Sequence, residues 1–210
     1  MDSKKFTRML PALLDPRRGE YFRTVISSFH CMSAPIPLSI LNGLVSCMDV
    51  GEVYLEVGTY QGGSLISALM ENYAPAIAVD NFSEFTGTNS EALLRKHLAQ
   101  FGVDDRVEFH NMGYADFFKN RLPVTEKIGV YYYDGAHNYE DQYAGMAQGM
   151  EFLRPGAVLV VDDIFYPEVR NAITDLVYDN KQHIKPLLII ESPDDVDKEW
   201  WNGIAVLQMI

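Results

Sequence analysis

From Val53 onward the chain alternates short, continuous apolar runs with longer stretches in which apolar residues recur every three or four positions. Val53 to Val57, Ala76 to Asp80, Arg106 to His110, Ile128 to Tyr133 and Ala157 to Val161 read as strands, the more continuous of them buried on both faces. Between them, Leu65 to Met70, Asn89 to Phe101, Tyr139 to Leu153 and Pro167 to Tyr178 carry a helical spacing. In the second of these Leu93, Leu94, Leu98 and Phe101 point inward and Gly102 stops the helix, while Pro155-Gly156 ends the third. Pro186 to Ile190 and Ile204 to Met209 are two closing strands around a polar loop with Asp194, Asp195, Asp197, Glu199, Trp200 and Trp201. Strand–helix alternation of this kind predicts a doubly wound α/β domain, a parallel sheet covered by helices on both faces. Residues 1–50 form an N-terminal helical extension instead, with Pro11, Pro16, Pro35 and Pro37 cutting the pieces short. Ile40, Leu41, Leu44 and Val45 share one helical face, which packs on the sheet of residues 51–210.

Composition narrows the partners. A chain of 210 residues that is 48% hydrophobic makes one compact domain with such an extension. Its 29 acidic against 17 basic residues give a net charge of −12, which repels nucleic acid and anionic membranes. Cys31 and Cys47 have neither disulfide-framework nor zinc spacing and read as thiols in a reducing compartment. No apolar run approaches the roughly 18 residues of a membrane span. The first residues, MDSKKFTRMLPALLDP, lack a secretory pattern, so a soluble cytoplasmic protein is expected.

The first strand runs into a turn with glycines at Gly58, Gly62 and Gly63, then directly into a helix. Such a turn leaves backbone N–H groups free at the helix start and lets a ligand approach without a Cβ in the way. The pattern E-x-G-x-x-x-G-x-S, from Glu56 to Ser64, is neither the dinucleotide G-x-G-x-x-G nor a lysine-bearing phosphate loop. Asp80 closes the second strand, where a carboxylate can accept hydrogen bonds from ribose hydroxyls or serve as a helix cap or solvated loop residue. Asp134 follows the fourth strand, and Asp162-Asp163 the fifth. Carboxylates at the tips of strands about 4.8 Å apart can share a divalent cation with oxygen ligands. Taken singly, Asp134 also fits an Asp-Gly turn and Asp162-Asp163 a cap for the Pro167 helix. His137 is a titratable group near Asp134, or a cap for the Tyr139 helix. One of the two tryptophans can cover a ring at a pocket mouth; packing against the N-terminal helices is the other reading.

The stretch E-V-G-T-Y-Q-G-G-S, Glu56 to Ser64, resembles the first motif of class I S-adenosylmethionine (SAM) methyltransferases. Tyr60 and Ser64 fit the narrower E-[IV]-G-x-Y-x-G-x-S of the metal-dependent catechol O-methyltransferase type, to which the macrocin-type sugar O-methyltransferases are related. The resemblance spans residues 50–210 and implies a Rossmann-like seven-stranded sheet in the order 3-2-1-4-5-7-6 with the last strand antiparallel. It implies that Glu56, Gly58, Tyr60, Gly62, Ser64 and Asp80 hold SAM, with Tyr114 at the adenine. It implies that Asp134, Asp162 and Asp163 bind Mg²⁺ or another divalent metal. At the offset of His137 the catechol-type enzymes place a lysine base, and the aspartate base of sugar-type enzymes falls at Ala136, leaving His137 as the candidate base. The expected activity is SAM-dependent, metal-assisted O-methylation of a small molecule such as a sugar, a catechol-like compound or a secondary metabolite. A homo-oligomer is admitted. Two alternatives stay open: a metal enzyme resembling cephalosporin hydroxylases on the same fold, and a non-catalytic SAM- or nucleotide-binding module.

Overall fold

The computed structural model describes residues 3–121 and 127–210. Three helices come first: α1 (Ser3–Leu13), α2 (Pro16–Ser28) and α3 (Pro35–Val45). Pro16 and Pro35 open α2 and α3, and Pro37 sits in the first turn of α3, where backbone N–H groups have no helical acceptor to lose. Pro11 does not cut α1, which runs through it to Leu13. Phe6 and Leu13 are buried on either side of that proline, so packing outweighs the local penalty. Every residue of α3 is buried, and Gly43 lets the Leu13 side chain approach to where a Cβ would stand, 2.4 Å away.

The strands are β1 (Val53–Val57), β2 (Ala76–Val79), β3 (Val107–His110), β4 (Ile128–Tyr133), β5 (Leu153–Asp162), β6 (Ile184–Ile190) and β7 (Ile204–Met209). They form one sheet in the order β3-β2-β1-β4-β5-β7-β6, parallel except for β7, which runs antiparallel to both neighbours. This is the order the resemblance implied. Alternate residues feed two cores. Tyr54, Val130, Tyr132, Val158 and Val160 pack with α3, α4 (Gly63–Leu69) and α5 (Ser90–Gln100). Leu55, Val57, Tyr131, Tyr133 and Leu159 pack with α6 (Tyr114–Asn120), α7 (Tyr139–Met150) and α8 (Pro167–Asp179). Burial on both faces explains why these strands read as unbroken apolar runs.

Two elements differ from the sequence reading. The helix α6 has no counterpart in the helices read from the sequence; its seven residues show little periodicity, yet Phe117 and Phe118 are buried. The helix α7 stops at Met150, and Pro155 and Gly156 lie inside β5 rather than ending a helix. A register shift between Ile128 and Val130 absorbs them, with Gly156 at a φ of 89°. Among the described residues no helix is long and apolar enough to cross a membrane.

Candidate functional site

The carboxyl ends of β1, β2, β4 and β5 surround a cavity of about 470 Å³. At its β1 end the loop is tightly pressed on β4. The Gly58 N–H donates to the Val79 carbonyl at 2.9 Å, and φ is 86°. A Cβ on Gly58 would stand 1.7 Å from the Asp134 carbonyl oxygen, so only glycine fits. Glu56 is fully buried beneath the loop: its carboxylate accepts from the Ser64 hydroxyl at 2.8 Å and from the Tyr54 hydroxyl. Burial pushes the Glu56 carboxyl up to about 8, against the pull of these two donors. Gly62, at φ 93°, starts α4 with Leu94 close behind it.

Asp80 neither dangles into solvent nor caps a helix. Its Oδ2 accepts from the Thr59 N–H (2.9 Å) and the Tyr60 N–H (2.8 Å), and its Oδ1 from the Phe82 N–H (2.7 Å). Asp80 thus ties the β1 and β2 loops together while still lining the cavity. Tyr60, at φ 44°, packs on Phe85 with ring centroids 4.3 Å apart. Tyr114 lines the cavity from the start of α6 and donates its hydroxyl to Asp141 at 2.9 Å. Of the residues expected to hold a cofactor, Gly58, Tyr60, Asp80 and Tyr114 face the cavity; Glu56, Gly62 and Ser64 shape the loop from behind.

At the other end three side chains converge. Asp134 Oδ1, Asp163 Oδ2 and His137 Nε2 offer ligand atoms within 4.8 Å of one another. Nε2 stands 2.7 Å from Asp163 and 3.7 Å from Asp134, yet this buried nitrogen has no aligned hydrogen-bond acceptor. Burial works against charging the imidazole, but the two carboxylates outweigh it and raise its pKa to about 10. Asp134 is itself pushed up to about 6, mainly by burial. His137 does not cap α7; Asn138 does, accepting from the Asp141 N–H at 3.0 Å.

Asp162, expected with the other two carboxylates, is set apart. It is the last residue of β5, and neighbouring residues of a strand face opposite ways. Its Oδ2 accepts from the Tyr132 hydroxyl (2.5 Å) and its Oδ1 from the Asp163 N–H (3.0 Å). Burial, then the carboxylates of Asp163 and Asp134, hold its pKa well above the usual range. His137 takes its place in the cluster. The sequence reading also missed Asn202, 3% exposed, which donates to Asp163 Oδ1 at 2.5 Å and accepts from the Val196 N–H. The tryptophans divide: Trp201 lines the cavity, and Trp200 packs against the core shared with the N-terminal helices.

The sequence profile of the methyltransferase-domain family matches residues 55–164, a stretch that runs from β1 past Asp162 and Asp163. The chain belongs to this family and is by class a SAM-dependent methyltransferase. Solved structures share its fold. An O-methyltransferase from Bacillus cereus in complex with SAH superposes with a TM-score of 0.68 at 13% identity, over 92% of this chain and 91% of that one. The O-methyltransferase TomG from Streptomyces achromogenes, involved in tomaymycin synthesis and solved with SAM, gives 0.66 at 17% identity over 94% and 89%. The SAH-bound methyltransferase PaMTH1 of Podospora anserina gives 0.61 at 15% over 91% and 86%. No curated protein matches the chain.

Proposed function

We propose that the protein transfers a methyl group from SAM to a hydroxyl of a small molecule, assisted by a divalent cation. The observation that carries this is a cavity whose continuous lining runs from the Gly58–Tyr60 loop to the Asp134–His137–Asp163 cluster. Support for the donor comes from family membership and from the fold shared with proteins solved with SAM or SAH.

The residues at the far end fit a divalent ion. The Asp134 and Asp163 carboxylates converge there, and beside them the buried His137 Nε2 has no aligned partner. Asp134 and Asp163 would hold the ion. When bound, the ion supplies positive charge that polarises a hydroxyl oxygen, and SAM supplies an electrophilic methyl group. This chain's residues do the rest. Asp80 and the β1 loop place the donor, Asn202 fixes Asp163, and His137 Nε2 stands where it can take the proton of the acceptor hydroxyl. With the carboxylates bare, Asp134 and Asp163 favour the protonated imidazole; a cation held by them would favour the neutral form that can take that proton.

Titration calorimetry tests the donor half. SAM binds and NAD does not, in chelator as well as in Mg²⁺, because the β1 loop meets β4 at the Asp134 backbone and not at the carboxylates that would hold the ion. Binding of NAD with no heat from SAM would overturn the reading.

A further inference from the structure

We infer that the acceptor carries no negative charge, and that an amine-bearing hydroxyl compound is preferred over its neutral counterpart. The inference rests on the proposed methyl transfer and concerns which acceptor the same cavity admits.

Six carboxylates line the cavity: Asp80, Glu84, Asp116, Asp134, Asp141 and Asp163. Among the described residues lining it there is no lysine or arginine, and His137 is the one side chain able to carry positive charge there. Apart from His137 beside Asp134 and Asp163, the hydrogen-bond donors that hold these acids are neutral. Asp80 is held by backbone N–H groups, Asp141 by the Tyr114 hydroxyl and the Asn138 amide, and Asp163 by the Asn202 amide. They fix direction without cancelling charge. A divalent ion would offset the Asp134–Asp163 pair and leave the other four.

The mouth continues the field. Tyr166, a wall residue beside His137, donates its hydroxyl to Asp195 at 3.4 Å and so sets a carboxylate at the rim. The loop 191–199 that carries it has five acidic residues against Lys198 alone. Arg23, a guanidinium tied to that loop, is matched by Glu199 at 2.6 Å and Glu20 at 2.9 Å. Two aromatic faces, Trp201 and Tyr166, complete this side of the wall, and such faces attract cations. A protonated amine meets carboxylate and ring there; a carboxylate or phosphate meets like charge within low-dielectric walls.

The test uses two matched sets of probes. One is a catechol ring bearing an aminoethyl, a methyl or a carboxymethyl group; the other is glucosamine, glucose and glucuronate. Affinities are measured by saturation-transfer NMR on protein loaded with SAH and Mg²⁺ at low salt. In at least one set the amine should bind roughly tenfold or more tighter than the acid, with the neutral member between. The gap should narrow in about 0.5 M NaCl, and narrow also in Asp195→Asn. An acid that binds as tightly as its amine in both sets, or amines that bind in neither, would overturn the inference. Failure of SAM itself to bind removes the proposed function; SAM binding without charge preference removes this inference alone.

Discussion

The two ends of the cavity are built in opposite ways. The β1 end is made of backbone: Gly58, Thr59 and Tyr60 present the chain, while Glu56, Ser64 and part of Asp80 are spent holding it in shape. The far end is made of side chains, Asp134 after β4, His137 before α7 and Asp163 after β5, braced by Asn202 from the loop before β7. A backbone site tolerates changes in what lies behind it only if the loop keeps its path. A side-chain site can lose one group and keep its frame. The difference decides what each substitution should break.

Gly58→Ala should have the largest effect, because Gly58 is where the ends touch. The new Cβ would overlap the Asp134 carbonyl, and φ is already in the left-handed region. Strain at such a position costs of order 1–3 kcal/mol even without a clash. The expected outcome is a lower denaturation midpoint together with loss of both SAM and metal binding. Retained binding of either would show the ends to be less tightly joined than the structure has them.

His137→Ala should act at one end alone. SAM affinity is expected to be unchanged in calorimetry, while methyl transfer falls by roughly 10²–10⁴, the usual worth of a general base. Equal rates for the variant and the wild type would take the base role from His137.

These contrasts follow what was legible in the sequence. The β1 loop is contiguous, so its glycines and the acid at the strand end announced both the turn and its location. The strand order needed the resemblance, since periodicity alone gives only a layered α/β domain. The far end was read in outline: the strand tips named Asp134 and Asp163, but also Asp162, whose side chain turns to Tyr132. Side-chain parity at a strand end depends on where the last ladder bond falls, and no local pattern marks that. Asn202 was invisible for another reason. It stands 39 residues from Asp163 and meets it only because β7 returns antiparallel beside β5.

Asp80→Ala sharpens the backbone side of the comparison. It removes acceptors for three N–H groups and should weaken SAM binding by about 1.5–3 kcal/mol, with metal affinity untouched. A metal defect of equal size would mean that the β2 loop also shapes the far end.

The smallest effect concerns Glu56, which lies behind the loop and does not line the cavity. Its pKa rises from 4.5 to about 8 on folding, so the folded state holds a proton that the unfolded chain releases. The stability it contributes is complete below about pH 4.5 and is lost as pH rises through about 8. In chelator, the thermal midpoint should therefore fall across this window, and Glu56→Gln should flatten that part of the fall. His137, raised from 6.5 to about 10, has the same sign and extends the decline to higher pH. An unchanged slope in Glu56→Gln would mean that the Glu56 carboxyl is not held protonated.

The central claim is that one cavity joins a SAM end to a cation end. The most direct measurement is transfer of radiolabelled methyl from SAM to a library of hydroxyl compounds, run in Mg²⁺, in Mn²⁺ and in EDTA, with SAM affinity followed in parallel. Transfer is expected in at least one metal and not in EDTA, with SAM bound equally in all three. Transfer at full rate in EDTA would contradict it.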